Sequence, residues 1–353
     1  MLSICLTFDY ELFFGENFGS PKEILFDPTE KLLEMLAQEG VSATFFADVC
    51  SVAQNEKYNQ TDYVDGFSKQ IIRMHENHQD VQLHIHPHWL TSEFLENKWR
   101  FDSTHYRLQS FGFDKSCTQN VYSTIAQGKS YLESIIQKES PDYRCIAYRA
   151  GGFTLQPHAE LVKALTDNGI CVDSSVAPHL VSNGVNSYDY SHDIPMVNWL
   201  ISSEGDWWED KPDSRNSLLE IPIATENKNI TFAFRRLFNP NSVKLNLGNM
   251  RGTYIQCDAA PPVRKVDIVN YLFGYSALSM DAYRAQFLFS QLKRFSHKNS
   301  CRKKDAAIAL IGHPKLVTSE YIDNLRALIK LVKANSNMQF KSISQVYYER
   351  KGK

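Results

Sequence analysis

Short apolar segments alternate with amphipathic segments along most of this 353-residue chain. Residues 3–11, SICLTFDYE, form an apolar run that ends in acids. Residues 28–39 follow, with a proline near their start, apolar residues at helical spacing, and Gly40 beyond their end. This alternation is typical of α/β proteins with parallel strands. Further segments typical of strands are residues 41–49, 80–89, 144–153, 170–177, 307–314 and 338–346, and those typical of helices are residues 66–78, 119–138, 157–168 and 319–333.

The alternation is interrupted between Pro178 and Asp305. We interpret residues 178–305 as an insertion that covers or extends the fold, and not as a second domain. Barrels of about 200–250 residues with insertions are ordinary as a single unit. The sequence therefore predicts one catalytic domain over residues 1–353.

Composition excludes several classes of protein. The net charge of −2 gives no basic field for nucleic acid or for an anionic membrane. No window holds the roughly 20 apolar residues of a membrane span. The first ten residues, MLSICLTFDY, lack the features of a signal peptide, so we expect a cytoplasmic protein. The seven cysteines form no CxxC pair and favour buried free thiols. The oligomeric state stays open.

Polar side chains follow the ends of five predicted strands. In barrels of alternating strands and helices, the carboxyl ends of the strands carry the active site. A single histidine on a strand is most often structural, but five polar groups at five strand ends favour a functional site. These groups are Asp9 with Glu11, the histidines of LHIHPH, Arg149 of YRAGG, Asp173 of VDSS, and His313 of IGHP.

The stretch VQLHIHPHWL places His84, His86 and His88 at every second position. Side chains at this spacing share one face of an extended strand. Pro87 can bend the strand end and change which pair of imidazoles converges. Two neutral imidazoles and one carboxylate form a metal site that leaves positions open for water and substrate. Asp9 and Glu11 also share a face, so one acid can bind the metal while the other acts as a base.

The ordered motifs resemble those of the polysaccharide deacetylase family, also called NodB-like proteins or the fourth carbohydrate-esterase family. TFDYE is similar to the first motif in a variant form, with its two acids one residue apart, and HIHPH, YRAGGF, VDSS and LIGHP are similar to the next four. The resemblance covers most of the chain. It implies an α/β fold, a distorted (β/α) barrel of about seven parallel strands with an inserted region near residues 178–305. It also implies a divalent metal cofactor, with Zn²⁺ the first choice.

The resemblance implies a role for residues of each motif. Because the two ligand histidines of the family lie four residues apart, His84 and His88 are the nominal pair. The other implied roles are general base for Asp9, metal ligand for Glu11, partner of the base for Arg149, a network that lines the site for Asp173, and general acid for His313.

Two features depart from the family pattern. Glu11 is longer than the usual aspartate, which can alter the metal geometry. The additional His86 leaves a second possibility, in which His84 and His86 bind the metal and His88 contacts the substrate. We favour His84 with His88. For substrate binding we predict Trp89, Gly151, Gly152 and Glu220.

These residues predict a metal-dependent hydrolase that removes an N-acyl group, N-acetyl in the first instance, from an amino sugar or glycan precursor. A deformylase or another non-peptide amide hydrolase on the same scaffold is an alternative. A non-catalytic glycan-binding relative is another, although Asp9, Arg149 and His313 together argue against it. A glycosidase would need two carboxylates about 5–9.5 Å apart and no row of histidines.

Overall fold

The computed structural model describes most of the chain but little of the predicted insertion's centre. Residues 205–216, 229–242 and 254–273 of that insertion lie outside the described part. The described residues are 1–102, 104–192, 194–204, 217–228, 243–245, 251–253, 274–299 and 306–352.

The α-helices of the described residues follow the amphipathic segments of the sequence. Helix α1 ends at Gly40, whose φ of 58° is left-handed and suits glycine. The predicted helix 319–333 is confirmed as α7, which Thr318 caps by accepting a hydrogen bond from the Tyr321 backbone N–H. The helices are α1 (Asp27–Glu39), α2 (Val49–Lys57), α3 (Thr61–Glu76), α4 (Val121–Ile136), α5 (Ala159–Asp167), α6 (Ala285–Asn299), α7 (Ser319–Lys333) and α8 (Ile343–Lys351).

Nine strands of the described residues form the main sheet. They are β1 (Leu2–Tyr10), β2 (Thr44–Asp48), β3 (Asp80–Ile85), β4 (Ala147–Ala150), β5 (Val172–Asp173), β6 (Trp199–Ser202), β7 (Ser217–Glu220), β8 (Ala306–Gly312) and β9 (Met338–Phe340).

The sheet order is β6-β7-β5-β4-β3-β2-β1-β8, and β9 pairs with β1. Only the β6–β7 pair is antiparallel among these pairings of described strands. The two ends of the sheet are joined by a parallel bridge between Ile223 and Ala309. The backbone N–H of Asn198 also donates to the Ala307 carbonyl at 3.1 Å. The sheet therefore curves into the predicted distorted barrel.

Three short two-stranded antiparallel sheets lie outside the main sheet in the described part of the chain. The first two are hairpins, and the third joins strands that are far apart in sequence. They pair Glu93–Leu95 with Lys98–Arg100, Val181–Ser182 with Tyr188–Asp189, and Thr225–Asn227 with Tyr275–Ala277.

The structure corrects two sequence-based boundaries. Strands β6 and β7 belong to the barrel, although both lie in the predicted insertion of residues 178–305. The predicted closing strand 338–346 ends at Phe340, because Ser342 and Gln345 form a capping box that begins α8. The division of the chain into domains stays a prediction. None of the helices in the described segments is both long and apolar enough to cross a bilayer.

Candidate metal centre

The candidate site lies at the carboxyl ends of the parallel strands. Every residue of β1 is buried, and Asp9 and Glu11 lie on the same face at its end. Three strands of the sheet end in tight helical turns, Pro87–Thr91 after β3, Gly151–Phe153 after β4 and Pro314–Leu316 after β8. Each turn begins inside the polar motif that ends its strand.

Glu11, His84 and His86 form a compact cluster of ligand atoms. Oε2 of Glu11 lies 2.7 Å from Nε2 of His86 and 3.1 Å from Nε2 of His84. One ligand atom from each residue lies within 4.8 Å of the other two. All three residues are buried. Two imidazoles and one carboxylate suit a divalent metal that keeps open coordination positions.

The hydrogen bonds of His84 fit this cluster to a metal ion. Its Nδ1 lies 2.8 Å from the Arg149 carbonyl oxygen and can donate to it, which leaves the lone pair of Nε2 facing Glu11. Two acceptors face each other in this way only when a cation or a proton lies between them. Burial lowers the pKa of His84, but Asp9 and Glu11 outweigh burial and raise it to about 9. A metal ion would replace that proton.

His88 does not join the cluster. Pro87 begins a turn directly after β3, so the alternation of the strand ends before His88. The His88 ring is fully buried and stacks on Tyr106 at 4.7 Å, and its two nitrogens have no hydrogen-bond partner among the described residues. Burial lowers its pKa well below the usual value. Thus the favoured pair of His84 with His88 is not the pair that the structure gathers at Glu11.

Lys315 contacts the other oxygen of Glu11. Its Nζ lies 2.7 Å from Oε1 and also donates to the Leu12 carbonyl at 3.0 Å. Burial raises the pKa of Glu11, but Lys315 and His86 outweigh burial and hold that pKa well below its usual range. The carboxylate is therefore ionised, with Oε2 turned towards the imidazoles.

Arg149 holds Asp9. Its Nη1 donates to Oδ1 of Asp9 at 2.7 Å and to the Thr7 hydroxyl at 2.8 Å, and its Nε donates to the Ser174 carbonyl at 2.8 Å. Burial raises the pKa of Asp9, but Arg149 and His84 outweigh burial and lower it. Oδ2 of Asp9 lies 3.9 Å from Nε2 of His84. An ionised carboxylate in this position can accept a proton.

His313 lies on the other side of the carboxylates. Its Nε2 is 3.9 Å from Oδ2 of Asp9 and 3.7 Å from Oε1 of Glu11. Its Nδ1 lies 2.6 Å from Oδ2 of Asp281, and its backbone N–H donates to Oδ1 at 3.0 Å. Burial lowers the pKa of His313, but Asp281, Glu11 and Asp9 outweigh burial and raise it. A protonated imidazole in this position can donate a proton.

These groups face one cavity of about 270 Å³. Asp9, Glu11, His86 and His313 line it. The volume is slightly below the usual range of about 300–1,000 Å³ for ligand pockets, so it suits a small chemical group. The rest of the wall comes from Phe14, Tyr106, Gly152, Phe153, Val185 and Asn186.

Asp173 and Glu220 lie behind the cavity. Both are fully buried. Asp173 accepts from the Ser175 hydroxyl at 2.7 Å, and that hydroxyl oxygen accepts from the Ala150 backbone N–H at 2.8 Å. Burial, together with the Asp173 carboxylate, raises the pKa of Glu220 well above its usual value. Asp173 therefore supports β4, which carries Arg149, and neither acid lines the cavity.

The other predicted substrate-binding residues have different positions. Gly152 lines the cavity, and its φ of 59° is left-handed. Gly151 lies behind His86, where a Cβ would come within 2.6 Å of Nδ1. Trp89 is fully buried and packs against Trp99 and Phe101 with ring centroids 5.1 and 4.8 Å away. In this conformation Trp89 has no exposed face for stacking on a sugar.

The sequence analysis missed three charged residues of the site. Asp48 is the last residue of β2, so its position at a strand end could have identified it. Its Oδ1 accepts a hydrogen bond from the His86 backbone N–H at 3.3 Å. Burial raises the pKa of Asp48 to about 6. Asp281 lies inside the predicted insertion, and Lys315 follows the LIGHP motif, so no strand-end pattern contains either.

Comparison with known proteins gives similarities of fold. No protein-family model and no curated protein match the sequence. A protein named as a polysaccharide deacetylase from Mycobacterium smegmatis is 13% identical with a TM-score of 0.48, and the match covers 99% of this chain and 90% of that one. Another so named, from Pseudomonas aeruginosa PAO1, is 12% identical with a TM-score of 0.47, covering 98% and 89%.

The 4-alpha-glucanotransferase from Thermococcus litoralis is 12% identical with a TM-score of 0.50, and the match covers 99% of this chain but 40% of that enzyme. At these identities the likeness concerns the fold alone. The solved structures similar to this chain thus include proteins named after the polysaccharide deacetylase family that its motifs resemble.

Proposed function

We propose that this protein is a metal-dependent hydrolase that removes an N-acyl group, acetyl in the first instance, from an amino sugar or glycan precursor. The observation that carries the proposal is the Glu11, His84 and His86 cluster, of which Glu11 and His86 line one cavity with Asp9 and His313. The motif resemblance supports the same activity. The proposal includes zinc as the metal, a cytoplasmic location and a single catalytic domain over residues 1–353.

In this proposal Glu11, His84 and His86 hold the metal. A divalent ion so bound would polarise the amide carbonyl and lower the pKa of bound water to about 7. Asp9, kept ionised by Arg149, takes the proton of the attacking water. Each such proton transfer typically contributes about 10²–10⁴-fold to the rate.

His313 completes the reaction as the general acid. Asp281 favours its protonated form, so His313 can give a proton to the nitrogen of the leaving amine. The products are then a free acid and a free amino group. A glycan-binding protein without catalysis would need neither the ionised Asp9 nor the protonated His313.

Deformylation is the second candidate, because a cavity of about 270 Å³ accepts a formyl group as readily as an acetyl group. The residues Asp9 and His313 would have the same roles in both reactions. The two activities differ in the acid that is released.

The test is release of acetate or formate from a panel of N-acetylated and N-formylated amino sugars and their nucleotide-linked precursors. The protein is assayed as purified, after chelation, and after zinc is added back. We expect the protein to release either acetate or formate from at least one of these amides. This activity should be lost after chelation and should recover when zinc is added back. No release from any amide by the zinc-loaded protein, or release that chelation does not change, contradicts the proposal.

A further inference from the structure

The hairpin of residues 181–189 contributes to the wall of the metal-centre cavity. Its two short strands are joined by a loop of residues 183–187. Asn186 of this loop lines the cavity, as do Asp9 and His313. The loop belongs to none of the five motifs, and the reaction described above gives Asn186 no role.

Hydrogen bonds to residues outside the hairpin hold this loop in place. Nη1 of Arg107 donates to the Ser187 hydroxyl at 3.2 Å. The Gln156 side chain donates to the Asp189 carbonyl at 2.9 Å and accepts from the Asp189 backbone N–H at 2.7 Å. Asn186 therefore lies next to an anchored residue, so a ligand that contacts it does not have to order the loop first.

Gly152 leaves the space that the Asn186 side chain occupies. A Cβ on Gly152 would come within 2.4 Å of Nδ2 and 2.6 Å of Cγ of Asn186. Because Gly152 also lines the cavity, the carboxamide packs against the backbone that forms the cavity wall after β4. Any larger residue at position 152 would displace it.

The carboxamide oxygen of Asn186 has no donor in the described part of the chain. Oδ1 is buried, and none of the described residues donates a hydrogen bond to it. A buried acceptor in that state costs about 1–3 kcal/mol relative to a paired one. A half-turn about the Cβ–Cγ bond exchanges Oδ1 and Nδ2, so either end of the group can face a ligand. This arrangement suits a ligand that brings a hydrogen-bond donor.

The scissile amide of an N-acyl sugar carries one such donor, its N–H. In the proposed reaction the carbonyl oxygen faces the metal, and His313 gives its proton to the nitrogen. The N–H is then the polar group of the amide that still needs a partner, and leaving it unpaired in a buried cavity is costly. An ester of the same sugar has an oxygen in place of the N–H, so it would offer Asn186 no donor.

We propose that Asn186 accepts the N–H of the scissile amide and thereby makes the site selective for N-acyl over O-acyl sugars. The inference rests on the proposed function for the placement of the substrate. The selectivity concerns binding, however, and does not require turnover.

Asn186→Leu and Asn183→Leu form a matched pair of variants. Leucine is close to asparagine in shape but has no hydrogen-bonding group. Asn183 lies in the same loop, is exposed, and does not line this cavity. Both positions lie on a loop outside the core, so the fold should be kept, which circular dichroism checks.

The first experiment is NMR titration of metal-stripped protein, which measures binding apart from turnover. The ligands are N-acetylglucosamine, N-acetylgalactosamine and N-acetylmannosamine, each compared with the 2-O-acetyl ester of the corresponding neutral sugar. We expect at least one amide to bind at least about fivefold more tightly than its ester, as one hydrogen bond provides. Asn186→Leu should abolish this preference, and Asn183→Leu should keep it. The side-chain NH₂ signals of Asn186 should shift with the amide.

The second experiment measures kcat/KM of the zinc-loaded protein on the same pairs. Esters are more reactive than amides, so the change that each substitution causes is compared, and not the rates themselves. A site that hydrogen-bonds an N–H discriminates only against substrates that lack it, so Asn186→Leu should lower kcat/KM at least about tenfold for the amide and less than about twofold for the ester.

Equal affinity of the wild-type protein for amide and ester in every pair, or no binding of any amide, overturns the inference. An equal loss for amide and ester in Asn186→Leu also overturns it, because the carboxamide would then contact a group that both ligands share. Absence of acyl release together with an amide preference that depends on Asn186 would reject the proposed hydrolase and retain the inference. The two proposals therefore fail separately.

Discussion

Nζ of Lys315 lies 2.7 Å from Oε1 of Glu11, and both side chains are buried. The two oxygens of Glu11 therefore have different partners, because Oε2 faces His84 and His86. The ammonium group and a bound divalent ion would share one carboxylate. Lys315 neutralises Glu11 when no metal is present, and it repels the metal that Glu11 is proposed to hold.

Replacing Lys315 by Met should therefore increase metal affinity. The ammonium group and the divalent ion are like charges in a buried site, and their repulsion is on the order of several kcal/mol. We expect Lys315→Met to bind zinc at least about tenfold more tightly in a chelator competition and to lower the melting temperature of the metal-free protein. Lys22→Met is the control, because Lys22 also pairs with a carboxylate but is exposed. Weaker zinc binding by Lys315→Met would mean that the lysine mainly orients Glu11.

Asp9→Asn should abolish turnover and leave metal bound. Loss of a general base typically costs about 10²–10⁴-fold in rate. The change also leaves the buried Arg149 without its ionic partner, which typically costs about 3–5 kcal/mol of stability. Rates are compared below the melting temperature of the variant, with the surface change Asp167→Asn as control. Near-normal turnover in folded, metal-loaded Asp9→Asn would remove Asp9 from the role of base.

Asp281→Asn should shift the pH profile of turnover. A general acid works while protonated, so activity falls as the pH rises through the pKa of His313. Asp281 raises that pKa, and its neutralisation lowers it. The alkaline limb of the profile should therefore move to lower pH in Asp281→Asn, while the exposed control Asp323→Asn leaves it in place. An unchanged alkaline limb would show that another group titrates there.

Much of the barrel could be predicted because its parallel strands are buried on both faces. The runs around β1 and β8 are almost continuously apolar, and each ends in a polar motif. Strands β6 and β7 were assigned to the insertion instead. Each has four residues, which is too short to show the alternation clearly in the sequence.

The site was predicted in part for a related reason. Four of its residues could be located because each lies in a short polar motif at the end of an apolar strand. They are Asp9, Glu11, His84 and Arg149. The choice between His86 and His88 depends on where Pro87 ends the strand, and residue spacing does not determine this. Lys315 and Glu11 are 304 positions apart in sequence, so no local pattern links them.

The most direct test of the central claim is the zinc content of two matched variants. Wild type, His86→Phe and His88→Phe are loaded with zinc, dialysed and analysed for bound metal, with circular dichroism to confirm folding. We predict one zinc per chain in the wild type and in His88→Phe, and almost none in His86→Phe. Zinc that is retained by His86→Phe and lost from His88→Phe, or a wild-type protein that binds no zinc, would contradict the Glu11, His84 and His86 centre.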